Sequence, residues 1–282
     1  NKSIVGNIRS GQSLSKPLGL ISEPRKTTYT INELLKRSNK FHKEGNLAHA
    51  ESGFRKVLEH IPNHPIALHF LGVIAGEAGN SKAAIQLIKR ALKIAPNYGQ
   101  AYNNLGNAYS RLDQIQEAID NYSRALELNP DHVDAMFNLA LMQQNLGNYE
   151  EAESLLQKCI ELKPRRADAH FNLGITYGKL GNLMQAQICY RVALDIDPGY
   201  NEARVSLGNL FQTVGRLDES IEQYDLAMEK DPNYAKALTA KGVALRKGGK
   251  FSSSLDNILK SENIDPHNLS TLISLGAAYK AM

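Results

Sequence analysis

Residues 99–132 read GQAYNNLGNAYSRLDQIQEAIDNYSRALELNPDH. Two helical patterns joined by a turn are written in this stretch. Tyr102, Leu105, Gly106 and Tyr109 share one helical face, and Ala118, Ile119, Tyr122 and Leu126 share another. Polar Asp113 and Gln114 separate the two halves, and Pro130, which has no amide hydrogen, stops the second. The hairpin then recurs, because Pro62, Pro96, Pro130, Pro164, Pro198, Pro232 and Pro266 are each 34 residues apart. A fixed period of this size decides the architecture. With that proline at position 32, repeats start at Ile31, Pro65, Gly99, Val133, Ala167, Asn201, Ala235 and Leu269.

Other positions fall into the same register. Position 8 is small in every repeat (Ser38, Gly72, Gly106, Ala140, Gly174, Gly208, Gly242, Gly276), and so is position 20, from Ala50 to Ser254. Small residues recur where two helices must approach closely. Position 15 is glycine in six repeats and Asp113 in the third, which fits a left-handed residue ending a helix. The spacing predicts helix A over positions 2–14 and helix B over positions 18–30.

These residues resemble a tetratricopeptide repeat (TPR) array. The resemblance implies an all-α solenoid of helix–turn–helix hairpins stacked into a right-handed superhelix with an inner groove. It covers residues 31–268 as seven repeats and 269–282 as the first helix of an eighth, with residues 1–30 as an extended tail or linker. The array departs from the family pattern at position 4 in His170 and Arg204, and in repeat one at Arg37 and Ser38. A second helix is expected beyond Met282, since Leu272, Leu275 and Tyr279 otherwise lack a cover.

The charge excludes some functions. The chain holds 33 Lys and Arg against 29 Asp and Glu, a net +4, and residues 1–30 account for all of it. The middle, residues 99–234, carries 11 basic and 20 acidic side chains, so no continuous basic face is expected for nucleic acid. Two cysteines cannot frame a disulfide scaffold, no apolar run is long enough to span a membrane, and no signal-peptide pattern opens the chain. A cytoplasmic protein is expected. Catalytic chemistry has no visible carrier, as there is no Cys-x-x-Cys, His-Glu-x-x-His, nucleophile elbow or phosphate-binding glycine loop. His60 and His64 have metal-like spacing but straddle a hairpin junction, and Cys159 and Cys189 read as small packing residues. No enzyme activity, cofactor or metal is expected.

A non-catalytic function should lie on the surface that stacking leaves free. On helix A, positions 2, 6, 9 and 13 lie opposite the packing stripe and should face the groove. Position 6 is asparagine in three consecutive repeats, Asn104, Asn138 and Asn172. An amide both donates and accepts, so such a ladder can hold the backbone of an extended peptide with little sequence demand. Asn103, Asn107, Asn209, Gln144 and Gln212 extend the amide surface, and Phe137 and Phe171 are candidate apolar pockets beside it. Asp134 and Asp168 make the central groove acidic, suited to a basic or neutral segment, while Arg246, Lys247 and Lys250 make the last repeats basic. The +4 tail is then a candidate occupant of its own or a neighbouring groove.

The ladder is similar to that in the superhelix of O-linked N-acetylglucosamine transferases, matched at Asn104, Asn138 and Asn172 and lost at Ser206, Ala240 and Ser274. The clamp with which other members of the family hold chaperone C-terminal tails is incomplete. Asn107 and Asn138 match it, but Asn103, Asp168 and Asn172 stand where the resemblance calls for cations, so chaperone tails are not expected partners. The leading expectation is a protein-interaction module that binds extended peptide segments. The resemblance leaves two alternatives open: the substrate-recruiting arm of a glycosyltransferase- or sulfotransferase-type enzyme whose catalytic domain lies beyond Met282, and a structural scaffold or homo-oligomer.

Overall fold

The computed structural model describes residues 30–281. The expected tail contact therefore lies outside the described residues, apart from Thr30, which caps the first helix. Fifteen helices follow one another, in pairs of helix A and helix B. The A helices are α1 (Ile31–Lys43), α3 (Pro65–Glu77), α5 (Gly99–Ser110), α7 (Val133–Leu146), α9 (Ala167–Lys179), α11 (Asn201–Thr213), α13 (Ala235–Lys247) and α15 (Leu269–Ala281). The B helices are α2 (Leu47–His60), α4 (Ser81–Ile94), α6 (Ile115–Leu128), α8 (Tyr149–Leu162), α10 (Leu183–Ile196), α12 (Leu217–Met228) and α14 (Phe251–Ile264). Among the described residues there is no strand.

Helices begin one residue earlier than the pattern predicts, and side chains cap some of these starts. His64 and His132, at position 34, accept the position-3 amides of Ala67 and Ala135 through Nδ1. Asn46, Asn80 and Asn182, at position 16, cap helix B in the same way.

Consecutive helices pack on one another throughout. The A helices also touch the next A helix, as α3 does α5, α5 does α7, and α13 does α15, with no comparable contact from one B helix to the next. In a curved stack the closer layer lies on the inner radius, so the A helices line the concave side.

The small positions explain the tight hairpins. A Cβ on Gly106 would sit 2.6 Å from the Tyr122 ring at position 24, and the same clash recurs between Gly174 and Tyr190 and between Gly208 and Tyr224. Repeat one solves the problem the other way round. Its position 8 is Ser38, and a Cβ on Gly53, the residue it faces, would lie 2.0 Å from the serine oxygen.

Position 15 takes positive φ in every full repeat, from Gly45 at 75° to Gly249 at 76°, and Asp113 is the sole non-glycine there, at 58°. An L side chain in this region is strained. Asp113→Gly is therefore expected to raise stability by about 1 kcal/mol, read as a higher urea midpoint with an unchanged m-value. An unchanged midpoint would mean that Asp113 is held without strain.

Candidate functional site

The expected amide ladder is present but is largely bonded to itself. Asn104 Nδ2 donates to His69 Nε2 at 2.8 Å, which leaves the proton of the neutral imidazole on Nδ1, 3.0 Å from Tyr98 Oη. Asn103 Nδ2 donates to Asn104 Oδ1 at 3.3 Å. Asn138 Nδ2 is shared between Asn103 Oδ1 at 3.1 Å and Asn107 Oδ1 at 3.0 Å, and Asn107 Oδ1 also accepts from Tyr122 Oη at 2.8 Å. One chain of polar contacts thus runs from repeat two to repeat four. Asn103, expected on the groove surface, is buried in this chain because position 5 faces the neighbouring A helix.

Asn172 Nδ2 turns back to the Asp168 carbonyl, a bond within its own helix. Gln144 reaches across to the next repeat, donating to the Asn172 carbonyl at 2.9 Å and to Thr176 Oγ1 at 2.7 Å. Asn209 repeats the Asn107 arrangement by accepting from Tyr224 Oη at 2.7 Å. Asn104, Asn138 and Gln144 thus tie neighbouring repeats together, whereas Asn172 and Asn209 bond within their own.

Two further expectations are corrected by position 34, which lays its side chain over position 5. Arg166 stacks on Phe137, its guanidinium carbon 4.2 Å from the ring centre, so Phe137 is buried and offers no open pocket. Tyr200 covers Phe171 at 4.9 Å between centroids, with Tyr190 behind it at 5.9 Å. Arg166 also bridges Asp134 at 2.8 Å and Asp168 at 2.9 Å, which cancels one of the two negative charges of the pair expected to make the groove acidic. Of the 20 acids in residues 99–234, only Asp134, Asp168 and Glu202 lie on A helices. The acidic excess of the middle belongs to the B helices and turns.

Burial sets the protonation of the enclosed groups. It drives His69 down to about 4, with His42 adding to the effect, and pushes the Tyr122, Tyr190 and Tyr200 phenols up to about 12. Burial also raises both thiols, Cys189 to about 11, which leaves them protonated and unreactive. His60 bonds to the Lys56 carbonyl while His64 caps α3, so the two do not converge. Among the described residues no group of three or more His, Cys, Asp or Glu is placed to hold a metal ion, and no helix is long and apolar enough to cross a membrane.

The open part of the concave face lies further along the chain. A hollow of about 570 Å³ between α9 and α11 is lined by Ile175, Lys179, Ser206 and Asn209. A second of about 400 Å³, between α11, α13 and α15, shares Asn209 and adds Gln212, Lys236, Ala240 and Ser270. Together they form a trough across four A helices.

Two family models, both described as tetratricopeptide repeat, match the sequence, one at residues 66–98 and the other at 97–165 and again at 132–198. Three solved structures illustrate the likeness. YrrB, described as a TPR protein with an unusual peptide-binding site, is 24% identical over 66% of this chain and 96% of its own, with a TM-score of 0.53. A chain of the APC/C hetero-tetramer Cut9-Hcn1 is 16% identical over 89% of this chain and 49% of its own, with a TM-score of 0.73. A tetratricopeptide repeat protein from Parabacteroides merdae is 19% identical over 88% of this chain and 98% of its own, with a TM-score of 0.66. At these identities the likeness is one of fold. No curated protein matches the chain.

Proposed function

We propose, from the premise that this chain belongs to the tetratricopeptide repeat family, that it is a non-catalytic interaction module whose concave face takes extended segments of other proteins. The observation that carries this reading is the trough across α9, α11, α13 and α15, where Gln212 Nε2 and Lys236, without partners among the described residues, lie beside the apolar Val205, Ala240 and Val243. Hydrogen-bonding edges next to small apolar surfaces suit a strand-like peptide, which presents a carbonyl and an amide at each residue. Upstream, Asn138 Oδ1 and Asn172 Oδ1 accept no bond among the described residues and can extend the path. The A helices already touch one another, so the face is preformed and little ordering entropy is spent on it.

A selection of random linear 12-residue peptides displayed on phage tests the reading. Enrichment of linear sequences that bind as synthetic peptides at micromolar concentration is the expected result. Failure to enrich any, with binding confined to folded partners, contradicts it.

A further inference from the structure

Gln144, Gln212 and Arg246 all stand at position 12 of helix A, yet their fates differ. Gln144 finds a hydroxyl at position 10 of the next repeat, Thr176. The corresponding residue for Gln212 is Ala244, and for Arg246 it is Ala278, neither of which can accept a side-chain hydrogen bond. Gln212 Nε2 and Arg246 Nε are accordingly enclosed with no hydrogen-bond partner among the described residues. An enclosed donor without an acceptor destabilises the fold, and a ligand acceptor removes that cost.

The residues lining the hollow include Lys236 and no acid, although Glu202 stands on α11 at position 2, one repeat before Lys236. Neither α13 nor α15 contains an acid, and the three acids of residues 235–282 are Asp256 and Glu262 on α14 and Asp265 in the turn after it. Lys236 lines the hollow, is exposed, and forms no ion pair among the described residues, whereas Lys241 is paired with Asp225. The hydroxyls of Thr239 and Thr271 turn inward to each other and to Ser261, so they are not open acceptors. Asn209 Oδ1 is taken by Tyr224, which leaves its amide hydrogens. The wall therefore offers donors and positive charge, and its natural complement is an acceptor-rich anion.

We propose that the hollow between α11, α13 and α15 selects an acidic stretch of an extended polypeptide, with a carboxylate set against Lys236 and a main-chain carbonyl accepting from Gln212. The proposal rests on the peptide-binding reading above and adds the chemistry of the ligand. A peptide fits better than a nucleic acid because the floor is Val205, Ala240 and Val243, and no exposed aromatic ring lines the trough for base stacking. Selection by charge at this end also separates it from the middle repeats, where Arg166 is already neutralised by Asp134 and Asp168.

The test is fluorescence anisotropy on the full chain with labelled 12-residue peptides acetylated and amidated at their ends, so that no terminal carboxylate takes part. One carries glutamate at alternate positions, one is neutral, one carries lysine there, and oligo(U) serves as a polyanion of another class. The acidic peptide is expected to bind at least about tenfold more tightly than the neutral one at physiological salt. Lys236→Glu should abolish that preference, Gln212→Met should weaken acidic-peptide binding by about five- to tenfold, and Lys158→Glu on the outer face of α8 should change nothing. Neutral or basic peptides binding as tightly as the acidic one, or Lys236→Glu leaving its affinity intact, overturns this proposal while leaving peptide binding standing. Oligo(U) binding more tightly than the acidic peptide overturns it in favour of nucleic acid. No binding of any peptide removes this proposal and the broader reading together.

Discussion

Tyr122→Ala is expected to destabilise the array by about 3–5 kcal/mol. The ring is 2% exposed, lies against the bare backbone of Gly106, and donates its hydroxyl to Asn107. Truncation removes most of an aromatic side chain, leaves a cavity between α5 and α6, and deprives the polar chain across repeats two to four of one donor. Because each repeat of a solenoid contacts only its neighbours, the loss should appear as local opening of repeat three before global melting. Hydrogen exchange of α5 and α6 under native conditions measures it. Tyr122→Phe separates the two contributions, since it keeps the packing and loses the hydroxyl, and should cost about 1 kcal/mol. Equal losses from the two variants would assign the effect to the hydrogen bond and contradict the packing account.

The second large effect is a dependence on pH. Burial drives the His69 imidazole down to about 4, from 6.5 for the free side chain. Its pKa is depressed, so the unfolded chain takes up the proton first as pH falls. The stabilisation is complete above about pH 6.5 and is lost between there and about pH 4, a change of about 3 kcal/mol. The cause is burial, with His42 adding to it; Asn104, whose amide donates to His69 Nε2, is left without its acceptor once that nitrogen is protonated. The groups facing the ring are Tyr98, which stays neutral in this range, and His42, which is itself bonded to Glu77. Stability curves of the wild type and His69→Gln, measured by urea unfolding from pH 7.5 to 4, should differ in slope over this window. Parallel curves would show that His69 does not carry the effect.

The sequence makes the skeleton legible because its determinants are local. Position 15 requires positive φ and so shows as glycine, and position 8 must let position 24 approach and so shows as a small residue, with Ser38 and Gly53 exchanging roles in repeat one. The site is less legible because its determinants are pairs about one repeat apart. Gln144 and Gln212 look alike in the sequence, and only Thr176 against Ala244 distinguishes a satisfied amide from an open one. Position 34 lies outside the helical periodicity, so nothing in the pattern of helix A announces that Arg166 covers Phe137 or that Tyr200 covers Phe171. Charge summed along the chain mixes inner and outer helices, which is how an acidic middle was expected in a groove that holds only three acids over those repeats. A comparison of position 12 with position 10 of the next repeat would have exposed the open donors.

The central claim is that partners lie along the A helices of the trough. Site-specific photocrosslinking tests it most directly, with a photoreactive side chain placed singly at Ser206 or Ala240 on the concave face and at Lys158 or Met184 on the outer helices. Crosslinks from the two inner positions to a bound linear peptide, and none from the outer two, are the expected result. Crosslinks confined to Lys158 or Met184 would place the partner on the convex surface and contradict the account.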